Sequence, residues 1–185
     1  MTGRLGKAFK VLKVARDLAS LEEDVRQGMY AMGRTVAEEH VLPMRRQGIA
    51  SHCTVSPLAT IRFAERVAIG ERANIGPYCC IWGGWSTTWA RVGRDALLAP
   101  GVVLVAGNHG TDGTGAIRDE PFQELDVEIG EGAWIGAHAT VIGCRVGKGA
   151  VIGASAVVLH DVPDYAIAVG APARVVGFRK GAPHP

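Results

Sequence analysis

The chain has 185 residues, 48% of them hydrophobic and 6% aromatic, with 25 glycines and a formal net charge of +2. That apolar fraction suffices for a packed core and excludes an intrinsically disordered chain, while the balanced charge gives no reason to expect a nucleic-acid partner. Cys53, Cys79, Cys80 and Cys144 follow no Cys-x-x-Cys spacing, so they read as reduced thiols of a cytoplasmic protein and not as a metal or disulfide framework.

Residues 1–48 show no repeat and predict a helical cap. Leu5, Phe9, Leu12, Ala15 and Ala19 make an apolar stripe, and Arg4, Lys7, Lys10, Lys13 and Arg16 make the same segment cationic. A second helix is expected from Ser20, with Glu23 completing a capping box, to a stop before Pro43. Covering the open edge of the domain that follows is the favoured role. Peripheral contact with anionic lipid is the alternative. No apolar run is long enough to span a bilayer, and the N-terminus lacks the apolar core of a signal peptide.

Beyond residue 48 an aliphatic side chain recurs every six positions. Val55, Ile61 and Val67 begin the series, followed by Ile69, Ile75 and Ile81 and then Val92, Leu98 and Leu104. It resumes at Ile129, Ile135 and Val141, slips by one, and ends with Val146, Ile152 and Val158. Glycine often follows the aliphatic residue, as at 70, 93, 130 and 147, and alanine often sits four positions after it, as at 73, 96, 133 and 150. A period of six is neither helical nor simple alternation. It predicts short strands separated by tight corners, three to a coil, with the aliphatic side chains inside and glycine where the chain must turn or leave room. The fold class is therefore an all-β solenoid of parallel strands over residues 49–177, with 178–185 as a tail.

The period fails between Asn108 and Asp126, where Asn-His-Gly-Thr-Asp-Gly opens a long polar insertion. A loop of that length in a regular solenoid points to function. His109 stands where the coil ends and the loop begins, and imidazole, which titrates near ~6.5, can take a proton from an attacking hydroxyl. Asn108 and Asp112 are further polar candidates for the acceptor, and Asp112 would alternatively cap a loop turn. One coil earlier, Trp82, Trp85 and Trp89 cluster. Trp82 and Trp85 suit a stacking platform for a sugar ring, although packing at a subunit contact explains them equally well.

The run from Val92 to Gly110, together with Trp134-Ile-Gly and Val169-Gly-Ala-Pro-Ala-Arg-Val-Val-Gly, resembles the hexapeptide-repeat acetyltransferases, nearest to sugar and polysaccharide O-acetyltransferases. The resemblance implies a left-handed parallel β-helix, acetyl-CoA as co-substrate, a sugar or saccharide acceptor, and a homotrimer with active sites between subunits. It implies His109 as catalytic base, Trp134, Ala137 and Ala154 along the CoA groove, and Arg174 at a CoA phosphate. No metal is implied. Packing at a subunit contact is the competing role for Trp134. At the position where galactoside acetyltransferases carry an acceptor-binding Asn, this chain has Cys79. Two other readings fit the same repeat. His138-Ala-Thr-Val-Ile-Gly-Cys resembles a zinc-binding coil of γ-class carbonic anhydrases, but Ile142 replaces the second ligand and cannot donate. A non-catalytic scaffold is the other.

Overall fold

A computed structural model describes residues 23–35 and 52–182. The chain divides into two units, Met1–Glu38 and Glu39–Pro185. In the first, α1 (Glu23–Thr35) opens with Glu23 and Asp24 and carries Arg34 in its last turn, which complements the helix dipole at both ends. Glu23 pairs with Arg26 and accepts a hydrogen bond from the Gln27 amide at 2.7 Å. The Ser20 cap, the stripe from Leu5 to Ala19 and the stop before Pro43 lie outside the described residues. No helix among those described is long and apolar enough to cross a membrane.

The second unit is built from three sheets. The first contains β1 (Thr54–Val55), β4 (Asn74–Ile75), β7 (Leu97–Leu98), β12 (Trp134–Ile135), β15 (Val151–Ile152), β17 (Ala166–Val169) and β18 (Arg174–Phe178). The second contains β2 (Thr60–Arg62), β5 (Cys80–Trp82), β8 (Val103–Val105), β13 (Thr140–Ile142) and β16 (Val157–Val158). The third contains β3 (Val67–Ile69), β6 (Ala90–Val92), β11 (Val127–Ile129) and β14 (Arg145–Val146). The chain visits the sheets in rotation and returns one strand further along each time, so the unit is a three-sided coil. Neighbouring strands are parallel throughout these sheets, except that β18 folds back antiparallel on β17. A separate hairpin, β9 (Asn108–His109) with β10 (Phe122–Gln123), leaves the coil after β8.

The register explains the period of six. Ile75, Leu98, Ile135 and Ile152 align across the first sheet, and Ile81, Leu104 and Val141 across the second. All are essentially inaccessible, as are Ala73, Ala96, Ala133 and Ala150 beside them. Each large aliphatic side chain so buried contributes about 1.5–3 kcal/mol, which no single coil could gather alone.

The glycines do the second of the two jobs expected of them. A Cβ on Gly93 would lie 2.7 Å from the Glu131 nitrogen, and one on Gly130 would lie 2.6 Å from the Lys148 nitrogen. They make room for the backbone of the next coil. The turning is done two residues later, in the left-handed region, by Arg72, Asp95, Gly132, Gly149 and Tyr165 at one corner and by Tyr78, Gly101, His138 and Ser155 at another.

Candidate active site

The departures from the repeat all occur at the corner between the second and third sheets, where one coil is a residue short, between Val141 and Val146, and three others are expanded. In the first coil Phe63 takes a left-handed conformation (φ 54°) and leads a short 3-10 turn, Ala64–Arg66, before β3. In the next coil the chain beyond β5 bulges through Gly83, Gly84 and Trp85, closed by the Gly84 N–H donating to the Thr88 carbonyl at 2.9 Å. The Arg66 guanidinium reaches up from the coil below and donates to the carbonyls of Gly84 and Trp85. Trp85 meets the Phe63 ring edge-on at 5.5 Å. In the third coil the insertion is a hairpin in which His109 pairs with Phe122 and Asn108 with Gln123.

Two carboxylates tie the insertion down. Glu124 accepts hydrogen bonds from the backbone and hydroxyls of both Ser86 and Thr87, the Thr87 hydroxyl at 2.7 Å. Those donors, led by the Thr87 hydroxyl, hold its carboxyl at about 2. Asp126 accepts from the Trp89 N–H and from Arg91, each at 2.7 Å. The Trp89 bond, more than the Arg91 pair, keeps that carboxyl below its ordinary range. The hairpin carrying His109 is thus clasped to the loop carrying Trp85.

Between them lies a cleft of about 310 Å³. Its floor is the outward row of the second sheet, where Arg62, Trp82 and Val105 stand in register. Phe63 and Trp85 form one wall, and His109 and Phe122, edge-on at 5.3 Å, form the other. Arg118 and Glu120, from the tip of the insertion, complete the lining. The cleft therefore offers aromatic surface, one imidazole and a few charges.

His109, Trp82 and Trp85 meet in this cleft as candidates from the sequence. One face of Trp82 is already covered, because the Arg62 guanidinium lies 4.9 Å from the ring centre. Asn108 and Asp112 do not line the cleft. The Asn108 side chain instead accepts the His109 N–H at 3.0 Å. Cys79 faces the core, 1% exposed, at a different corner, and does not line the cleft. Burial pushes its thiol above the ordinary range. Arg62, Phe63, Arg118, Glu120 and Phe122 were not legible as a group. Arg62 and Trp82 each follow an inward aliphatic, Ile61 and Ile81, so aligning the positions just after the repeat series marks the floor.

Trp134, Ala137, Ala154 and Arg174 are not brought to the cleft. Trp134 stands 52% exposed on the first sheet. Ala137 and Ala154 are stacked at the corner between the first and second sheets, where the Ser155 N–H donates to the Ala137 carbonyl. Arg174 lies on β18 and donates to the Ala173 carbonyl at 2.9 Å. His138 turns the same corner as Ala137 (φ 58°), packed over Gly101. Among the described residues no three His, Cys, Asp or Glu side chains converge as metal ligands would.

No known family model matches the chain. It is 35% identical over 123 residues to the probable acetyltransferase Rv3034c of Mycobacterium tuberculosis, covering 65% of this chain but only 38% of that protein. The fold is similar to that of a hexapeptide-repeat acetyltransferase from Vibrio cholerae solved with acetyl-CoA, with a TM-score of 0.66, 20% identity, and coverage of 85% of this chain and 89% of that one. It is also similar to a maltose O-acetyltransferase from Clostridium difficile, with a TM-score of 0.59, 22% identity, and coverage of 83% and 86%. In repeat and fold the chain is thus similar to hexapeptide-repeat acetyltransferases, and it spans little more than a third of the length of the curated relative that it matches.

Proposed function

We propose that the chain is a cytoplasmic acetyltransferase that moves an acetyl group from acetyl-CoA to a hydroxyl of a sugar or polysaccharide precursor, on a left-handed β-helix assembled as a homotrimer. The observation that carries this reading is His109, the one imidazole in an aromatic cleft, held there by a hairpin with no counterpart elsewhere in the repeat. Trp85 and Phe122 supply apolar faces for a sugar ring. The imidazole stands at the cleft surface, where it can accept the hydroxyl proton as the oxygen attacks.

Acetyl-CoA would supply the activated thioester carbonyl. The residues that would hold it are Ala137 and Ala154, whose small side chains would leave room for an extended arm, the exposed Trp134, and Arg174, whose charge would suit a phosphate. These residues lie on later coils, away from the cleft that holds His109, and a trimer that sets two copies of the chain side by side would complete the site.

The test is His109→Ala assayed with acetyl-CoA against neutral, acidic and amino sugars. Loss of general-base catalysis should lower kcat by roughly 10²–10⁴, while acetyl-CoA affinity and thermal stability stay near wild type. Turnover within a few-fold of wild type on the best acceptor would refute the assignment.

A further inference from the structure

Among the described residues of the second unit, arginine is almost always partnered. Arg66, Arg72, Arg91, Arg94 and Arg145 each pair with a carboxylate. Arg174 and Arg179 each donate to a backbone carbonyl. Among the described residues, Arg62 and Arg118 are the two in this unit that make neither a hydrogen bond nor an ion pair, and both line the cleft.

Arg62 is nevertheless fixed in place. Its guanidinium stacks on Trp82 at 4.9 Å and lies 5.9 Å from the Phe63 ring. Stacking uses the face of the guanidinium and leaves the in-plane N–H donors free, which is the arrangement that suits an oxyanion. Arg118 sits on the exposed turn Ile117–Asp119 of the insertion, on the same cleft. Glu120, the acidic residue of the lining, lies back against Gly113 and pairs with neither arginine. Two unpaired cations against one carboxylate give the cleft a positive bias.

We infer that the acceptor carries an anionic group, a carboxylate or a phosphate, bound by Arg62 and Arg118 beside the hydroxyl that His109 serves. This rests on the cleft being the acceptor site, as proposed above. Arg62 would give bidentate hydrogen bonds from the floor, and Arg118 would close over the same group from the rim.

The experiment is titration of the full chain, followed by tryptophan fluorescence from Trp82 and Trp85, with glucuronate, glucose 1-phosphate and a neutral methyl glucoside. Acetyl transfer to the same three compounds is measured in parallel. The expected result is that at least one of the two anions binds about tenfold or more tightly than the neutral glycoside, with an affinity that falls as salt rises. The stronger of the two anions identifies carboxylate or phosphate. R62Q and R118Q should each remove most of the preference, and Arg118, on an exposed turn, can be changed without touching the core. Anions that bind no more tightly than the neutral glycoside, or a preference that survives in the double variant, would overturn the inference. Because binding is read without turnover, it stands apart from the functional reading, which fails instead if no acceptor of any charge is acetylated.

Discussion

Gly130→Ala tests the packing logic of the coil directly. The added Cβ would lie 2.6 Å from the Gly147 carbonyl carbon and the Lys148 nitrogen and 2.8 Å from the Gly147 oxygen. All three are backbone atoms, so no side chain can yield. Ordinary contact begins at 3.4 Å, so the next coil must retreat by about 0.8 Å (3.4 − 2.6) at that point. The same residue donates to the Val146 carbonyl at 2.7 Å, a bond that the retreat would stretch. Overpacking of this kind costs about 1–3 kcal/mol, offset by ~0.4–1 kcal/mol from the stiffer unfolded chain. A net loss of about 1–2 kcal/mol lowers Tm by roughly 2–8 °C in a chain of this size. Gly115→Ala is the control, because nothing lies within 4 Å of its Cβ and its φ is ordinary. Thermal unfolding followed by circular dichroism reads both variants. Equal melting temperatures for Gly130→Ala and wild type would refute the claim that these glycines exist to admit the neighbouring coil.

Three further outcomes are expected. Glu124 has its carboxyl lowered to about 2 against ~4.3 when unfolded, so the clasp on the hairpin should be complete above about pH 4.3 and lost as pH falls toward about 2; hydrogen exchange across 107–126, corrected for intrinsic rates, should quicken over that window, Glu124→Ala should exchange fast already at neutral pH, and a flat profile in both would refute the clasp. Ser155 turns its corner at φ 58°, so Ser155→Gly should change stability by less than ~1 kcal/mol while Ser155→Val destabilises by about 1–2 kcal/mol, and urea unfolding that ranks them the other way would contradict the strain. If the site is shared between copies, His109→Ala and Arg174→Ala proteins, each impaired, should regain activity when unfolded together and reassembled; a mixture no more active than its parts would place the whole site in one chain.

The solenoid was legible because its signal is repeated. Fifteen aliphatic positions at one spacing leave few other folds, and Ile75, Leu98, Ile135 and Ile152 do stack in one column. The cleft was only half legible, for a physical reason. His109 and the tryptophans stand out because they interrupt the period, so a break in regularity reveals them. Arg62 and Phe63 lie within an unremarkable stretch of the first coil, and only vertical register brings Arg62 under Trp82. Glu124 was missed for a related reason: a carboxylate in a polar insertion looks solvated until the Ser86-Thr87 loop of the preceding coil is seen against it. Asn108, whose amide oxygen accepts the His109 N–H, shows a local bond that the sequence did not reveal.

The position of the cleft follows from what a solenoid can tolerate. A residue inserted into β5 or β8 would break hydrogen bonds to the coils on both sides, since each strand is paired on two edges. At a corner the chain has already left the ladder, and an insertion costs mainly loop closure. That cost grows slowly, by about 0.6 kcal/mol for each doubling of length. Expanding a short corner into the insertion that follows β8 therefore costs on the order of 1–2 kcal/mol, and Glu124 and Asp126 tie the insertion back to the coil. Stacking three such corners, around Phe63, Trp85 and His109, builds the cleft while the three ladders run on undisturbed. Substitutions in the cleft should consequently alter acceptor choice while leaving the fold intact, whereas those at the inward alanines and at glycines such as Gly93 and Gly130 should do the reverse.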